Sequence, residues 1–125
     1  MAQGFGNPKG PHYGLGRINV AASGTPAPLN QNFSTNEPFA KSGTVPLTAN
    51  TIIFAASPTN TGVTFVVWKT TGAGIGNLNS IIKPLNPGET WTLTTAFPGN
   101  LFSLTAYGID ANNAGDGVYV SAVVI

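Results

Sequence analysis

The chain has 125 residues, enough for one ordinary domain, and it contains no cysteine, which excludes a disulfide framework, a zinc knuckle and a thiol nucleophile. Only 7% of its residues are charged and the net charge is +1, whereas about 25% of an average soluble domain is charged. Such a balance excludes the basic patch expected of a nucleic-acid-binding protein. It also gives little repulsion between copies, so the composition favours a subunit of an assembly, with a neutral secreted module as the alternative.

Residues 1–16 form a separate zone that is rich in glycine and proline and has no periodicity, so we expect an extended arm rather than a helix or a central strand. The remaining residues, 17–125, are predicted to form the folded domain. An arm of this composition lies either on a neighbouring subunit or back on its own domain. The candidate partner-binding residues are the aromatic and basic residues of the arm, Phe5, Lys9, His12 and Tyr13, and the basic residue that follows it, Arg17.

From Leu15 onward, short apolar runs alternate with turn-forming residues, and no stretch of ten residues has helical spacing. In several runs apolar and polar residues alternate, so that the apolar ones share one face of a strand, as Ile18 and Val20 do. The candidate strands are residues 15–21, 27–33, 43–48, 50–56, 62–69, 78–83, 89–95, 101–108 and 117–125. Short strands at this spacing predict an all-β fold, an antiparallel β-sandwich or a jelly roll of about eight strands. The apolar last strand is expected to be buried in the core or against another subunit.

The residues that catalyse reactions are scarce. His12 is the only histidine, and the four carboxylates are Glu37, Glu89, Asp110 and Asp116. No serine or carboxylate is near His12 in the sequence to form a triad, and two of the carboxylates sit beside prolines in predicted turns. We therefore expect no enzyme activity, no cofactor and no metal site.

Two loops resemble binding motifs only in part. Residues 110–117, DANNAGDG, match the first, third and sixth positions of a calcium loop. However, Ala114 stands at the fifth position, which needs an oxygen ligand, and Ser121 stands at the twelfth position, which needs a bidentate carboxylate. We therefore interpret this segment as a hairpin loop. Residues 70–77, TTGAGIGN, lack the ending of a phosphate loop and are interpreted as a connection between strands, where binding specificity could lie.

The two tryptophans admit two interpretations. Trp68 ends the apolar run 63–68, and Trp91 alternates in phase with Leu93, so we expect both to pack in the core. The alternative is a sugar-binding module in which one of them stacks on a pyranose ring.

Four segments occur in an order that resembles small virion proteins of tailed bacteriophages. They are GTPAPL at 24–29, ANTIIF at 49–54, ASPTNTG at 56–62 and LNPGETWTL at 85–93, and the resemblance spans residues 17–125. Proteins of this kind are β-sandwiches of similar length that serve as capsid decoration (cement) proteins or related head and tail accessories. Their binding residues do not form a transferable motif, so no residue role is carried over.

The resemblance implies a structural role on the outside of the capsid, in a chain made in the host cytoplasm. The implied partners are the major capsid protein and other copies of the chain, as a trimer or dimer, with no nucleic acid and no membrane. A tail, head-fibre or receptor-facing virion protein and a carbohydrate-binding sandwich are the alternative functions.

Overall fold

The structure, a computed structural model, describes residues 12–29, 48–69, 74–95 and 102–123, with only the backbone of residues 12 and 13. Within these ranges the chain forms ten β-strands and three 3-10 helices, Gly74–Gly76, Leu78–Ser80 and Leu104–Ala106, with no α-helix. The strands are β1 (His12–Asn19), β2 (Ala27–Pro28), β3 (Thr48–Ala49), β4 (Thr51–Ala56), β5 (Thr64–Trp68), β6 (Ile81–Leu85), β7 (Thr90–Thr94), β8 (Phe102–Ser103), β9 (Tyr107–Ala111) and β10 (Gly117–Val123).

The strands form two four-stranded sheets and one two-stranded sheet. Sheet A has the order β1-β10-β4-β7, sheet B has the order β2-β9-β5-β6, and β3 pairs with β8. In each of five antiparallel pairs an early strand meets a late one: β1 with β10, β2 with β9, β3 with β8, β4 with β7 and β5 with β6. The ten described strands thus pair as one long hairpin would, and this hairpin is folded over to form sheets A and B and the short β3–β8 pair. Such nested pairing is the jelly-roll topology. The predicted all-β sandwich is confirmed.

The core lies between the two sheets and follows from alternation along the strands. In β4, Ile52, Phe54 and Ala56 are buried, and the residues between them are only partly buried. Because successive side chains of a strand point to opposite faces, one face of β4 packs inward and the other faces out of sheet A. Phe54 is fully buried and stacks on Trp91 of β7 with 5.7 Å between the ring centroids.

Strand β1 keeps its apolar residues in the core by means of a β-bulge. Its pairing with β10 shifts between Gly14 and Gly16, and Gly16 has a φ of 76°, a conformation that favours glycine. As a result, Leu15 and Ile18 are three residues apart and are both fully buried. β1 begins at His12, so the backbone of residues 12–16 of the predicted arm belongs to an edge strand, while residues 1–11 lie outside the described residues.

Three predicted segments differ from the structure. The predicted strand 78–83 begins as the 3-10 helix Leu78–Ser80, where the Asn77 side chain accepts a hydrogen bond from the Asn79 N–H at 3.0 Å. The predicted strand 101–108 is interrupted by the 3-10 helix Leu104–Ala106. The hairpin loop predicted at 110–117 is wrong, because residues 112–116 connect β9 of sheet B to β10 of sheet A and so cross between the layers.

Candidate functional site

Asp110 lies on the outer face of sheet B, because its neighbours Ile109 and Ala111 in β9 point into the core. Its side chain is nevertheless fully buried. Its Oδ1 accepts hydrogen bonds from the N–H groups of Gly24 at 3.0 Å and of Ala111 at 2.8 Å. Its Oδ2 accepts one from the Ile75 N–H at 2.8 Å. The carboxylate therefore holds residues of two connections, 20–26 and 74–80, against the outside of sheet B.

Gly74 makes the close approach of the second connection possible. It has a φ of 55°, and a Cβ built on it would lie 2.0 Å from the Asp110 Oδ2 and 2.9 Å from the Pro26 Cγ. Any larger residue would push the turn away from the carboxylate. The chain itself thus covers the outer face of sheet B around Asp110.

A second buried carboxylate, Asp116, joins two connections at one end of the sandwich. Its Oδ1 accepts from the Thr61 N–H at 2.9 Å, and its Oδ2 accepts from the Gly62 N–H at 3.0 Å. The Asn60 amide beside it both donates to and accepts from the Gly117 backbone, each at 2.9 Å. These groups fix the connection between β4 and β5 to the connection between β9 and β10.

Each of the three described carboxylates accepts a backbone hydrogen bond from a connection between strands. Glu89 closes the turn between β6 and β7, where its Oε1 accepts from the Asn86 N–H at 2.9 Å, and Glu37 lies outside the described residues. The part of the chain that the structure describes holds no cluster of three or more His, Cys, Asp or Glu side chains able to bind a metal ion. Neither Asp110 nor Asp116 was recognised from the sequence as a buried acceptor of backbone hydrogen bonds.

The outer face of sheet A contrasts with that of sheet B, because it carries an open groove of about 200 Å³. We call it the sheet A groove, and it is lined by Gly14 and Gly16 of β1, Ile53 and Ala55 of β4 and residues 119–121 of β10. The two glycines have no side chains to fill the space beside β10. Tyr119 forms a wall and is 48% exposed. None of the lining residues is charged, so the groove suits an apolar occupant.

Beside this groove, the outward residues of the edge strand β7 are threonines. Thr90, Thr92 and Thr94 are exposed, and the hydroxyls of Thr94 and Thr51 lie 3.3 Å apart across the β4–β7 pair. Although Arg17, opposite Tyr119 in the β1–β10 register, is on the same face, the groove and the β7 edge themselves carry hydroxyl and apolar groups rather than charges, in keeping with the composition. Such a face packs against another protein without the cost of desolvating charges.

The predicted partner-binding residues fall partly on the same sheet. The backbones of His12 and Tyr13 pair with Val123 and Ala122 of β10, while Phe5 and Lys9 lie outside the described residues. Arg17 is in β1. The sequence did not single out the groove residues, although apolar residues on both faces of 51–56 and 117–123 are a signal for a second apolar surface.

The Arg17 guanidinium has partners within the chain. It donates to the Asn19 Oδ1 and, at 3.4 Å, to the Gly115 carbonyl. It lies over Gly117, where a Cβ would come within 2.9 Å of the Arg17 Cζ. Arg17 thus fixes the end of β1 to the connection before β10, and its contact with a partner stays a prediction.

The two tryptophans have different environments. Trp91 is partly buried and packs on the core, as expected. The same expectation for Trp68 is wrong, because Trp68 is the last residue of β5 and is 40% exposed. It stacks on Tyr107 with 5.2 Å between ring centroids, and Tyr107 meets Phe102 edge-on. Burial raises the pKa of the Tyr107 phenol above its usual value.

Comparison of the chain with protein-family models, with curated proteins and with solved structures gave no match. Among the described residues, no helix has both the length and the apolar character that a membrane crossing requires.

Proposed function

We propose that this protein is a structural virion protein, a decoration or cement protein that binds the outside of a tailed-phage capsid and stabilises contacts between major capsid subunits. The observation that carries the proposal is the outer face of sheet A, which is uncharged along its groove and lined by exposed threonines. The buried carboxylates of the described residues are used to hold turns. A rigid body with one open apolar face suits a binding role rather than catalysis.

The fold and the resemblance of the four sequence segments support the same proposal. Jelly rolls are frequent in capsid and lectin domains. A small apolar contact contributes modest affinity by itself, but many symmetric copies that bridge neighbouring shell subunits add up through multivalency. Low charge is also compatible with contacts made by strands and backbone groups.

Cryo-electron microscopy of the native particle tests the location of the protein. Density for the jelly roll on the capsid exterior is the expected result. Density only on the tail or on head fibres would favour the alternative virion role, and absence from the particle would overturn both proposals.

A binding assay tests the surface. Purified protein is added to expanded capsids that lack it, and occupancy is compared for Ile53→Glu and Leu78→Glu. Ile53 lines the sheet A groove, whereas Leu78 is 81% exposed in the connection between β5 and β6 of sheet B. We expect Ile53→Glu to lower occupancy at least tenfold and Leu78→Glu to leave it unchanged. Equal occupancy of the two variants would show that sheet A does not bind the shell.

A carbohydrate-binding function is the second candidate, and the exposure of Trp68 favours it. A tryptophan that is 40% exposed and supported from one side by Tyr107 resembles a platform for a sugar ring. Glycan-array binding that is lost in Trp68→Ala but kept in Tyr119→Ala would support this function. Absence of glycan binding by the wild-type protein would exclude it.

A further inference from the structure

We propose that the sheet A groove binds Phe5 of a second copy of this chain, so that two copies associate by exchanging their N-terminal arms, residues 1–11. Such an exchange fills the groove with a segment of the chain itself and leaves the threonine row of β7 as the part of sheet A that is open to another partner, and it does not require that the protein decorates a capsid.

The groove has the size and chemistry for one aromatic side chain. Its volume is about 200 Å³, and its walls include Ile53, Ala55 and Tyr119. Aromatic side chains bury about 150–250 Å² each and provide much of the energy of protein interfaces. Within residues 1–11, Phe5 is the only aromatic residue, and Met1 is the only other large apolar one. Phe5 is therefore the natural anchor of the arm.

The arm is attached close to the groove. It leads into β1, which is an edge strand of sheet A and contributes Gly14 and Gly16 to the groove. Two copies related by a twofold axis, with their β1 edges side by side, would place each arm next to the groove of the other copy. Such an arrangement is closed and self-complementary, as twofold interfaces are.

Chain length favours the groove of a second copy over the groove of the same copy. Pro11 precedes His12 and favours an extended Gly10, so an arm that keeps this direction would run past the end of sheet A. The residues that best suit a reversal are Asn7-Pro8-Lys9-Gly10, which match a type I turn. A reversal there would place Phe5 level with His12, two residues or about 7 Å before Gly14 along the strand.

An arm that continues without a reversal spans up to about 24 Å over the seven residue steps from Phe5 to His12, and this reach is directed away from its own sheet and toward a neighbouring copy. The net charge of +1 gives little repulsion between two copies.

Sedimentation equilibrium over a range of protein concentrations tests the proposal. We expect the full chain to associate, and Phe5→Ala to raise the dissociation constant at least tenfold. Ala55→Trp, which fills the groove from outside the core, should have the same effect. Thr94→Trp is the matched control, because it adds the same side chain to the same face but away from the groove, and it should associate like the wild type.

Mixing two variants tests the exchange itself. Phe5→Ala has an empty groove, and Ala55→Trp has an intact arm, so an equimolar mixture should recover part of the association that each has lost alone. Circular dichroism and thermal unfolding check that the variants are folded, and Tyr119→Ser replaces Ala55→Trp if the latter is not.

Three results would overturn the proposal. The first is a wild-type protein that stays monomeric at every concentration. The second is association that Phe5→Ala leaves unchanged. The third is tighter association of Phe5→Ala than of the wild type, which would mean that each arm covers its own groove. Deletion of residues 2–11 should behave like Phe5→Ala, and it leaves β1 intact because that strand begins at His12.

Discussion

The outer faces of the two sheets are built in opposite ways. On sheet B, residues 20–26 and 74–80 are held by two backbone hydrogen bonds to the buried Asp110, from the N–H groups of Gly24 and Ile75. On sheet A, the corresponding face carries a groove and a row of exposed threonines. One face has its partner within the chain, and the other presents apolar and hydroxyl groups to whatever meets the protein.

The difference separates stability from binding. Groups that hold sheet B closed should matter for folding, whereas groups on the outside of sheet A should matter for association and little for folding. Substitutions on the two faces can therefore test the comparison.

The largest effect on stability is expected for Asp110→Ala. The change removes the acceptor of three N–H groups, and each buried donor left without a partner costs about 1–3 kcal/mol, so we expect a loss of about 3 kcal/mol or more. Urea unfolding measures it. Glu89→Ala is the control, because Glu89 accepts one hydrogen bond in an exposed turn and its loss should cost about 1 kcal/mol or less. A loss below that of the control would contradict the role of Asp110.

Gly74→Ala is expected to cost about 2 kcal/mol, because the new Cβ meets the Asp110 carboxylate at a positive φ. Gly76→Ala is the matched control two residues away, where a Cβ meets nothing within 4 Å. Because Gly74 and Asp110 are in contact, the double variant should lose less than the sum of the two single losses. Equal losses for Gly74→Ala and Gly76→Ala would show that the turn does not need its close approach.

On the other face, Ile53→Thr should change the free energy of unfolding by about 1 kcal/mol or less, since Ile53 points out of sheet A and threonine keeps the β-branched shape. The same variant should weaken association of the protein with its partners. Leu78→Thr, at an exposed position in the connection between β5 and β6 and away from sheet A, serves as the control for both measurements. A large loss of stability in Ile53→Thr would mean that the outer face of sheet A contributes to folding as much as that of sheet B.

The smallest effect concerns pH. Because burial raises the pKa of Tyr107 in the folded protein, the folded state favours the neutral phenol. The contribution of the neutral Tyr107 phenol to the free energy of unfolding is fully present below the usual tyrosine pKa of about 10. It is lost as the pH rises through the raised pKa of the folded protein. Tyr107→Phe should therefore reduce the fall in unfolding free energy between about pH 9 and 11. Tyr119→Phe controls for the loss of one tyrosine hydroxyl, and an equal reduction in both variants would contradict the assignment.

The fold class could be predicted from the sequence because it depends on local patterns. The apolar run at 51–56 and the turn residues at 57–62 place a strand and its end without knowledge of the rest of the chain. The role of Asp110 could not be predicted, because its partner Gly24 is far away in sequence and only the sheet order brings the two together. The groove depends likewise on three strands whose adjacency the sequence does not show.

Two local features also escaped prediction. The bulge at Leu15–Gly16 changes the phase of β1, so no simple alternation describes that strand. Trp68 is in phase with the buried Val66 but stands at the end of β5, and periodicity alone does not reveal where a core ends. In both cases the sequence shows the apolar periodicity of a strand but does not show the residue at which that periodicity changes phase or ends.

The nested pairing of the strands has a consequence for the order of folding. β5 and β6 are close in sequence, so the loop that their pairing closes is short, whereas β1 and β10 bring together nearly the whole length of the chain. Closing a longer loop costs more entropy, and we expect β1 to join β10 late. The sheet A groove has one side from β1, so it is completed only when the two ends of the domain meet. A chain still emerging from the ribosome therefore cannot yet associate through it.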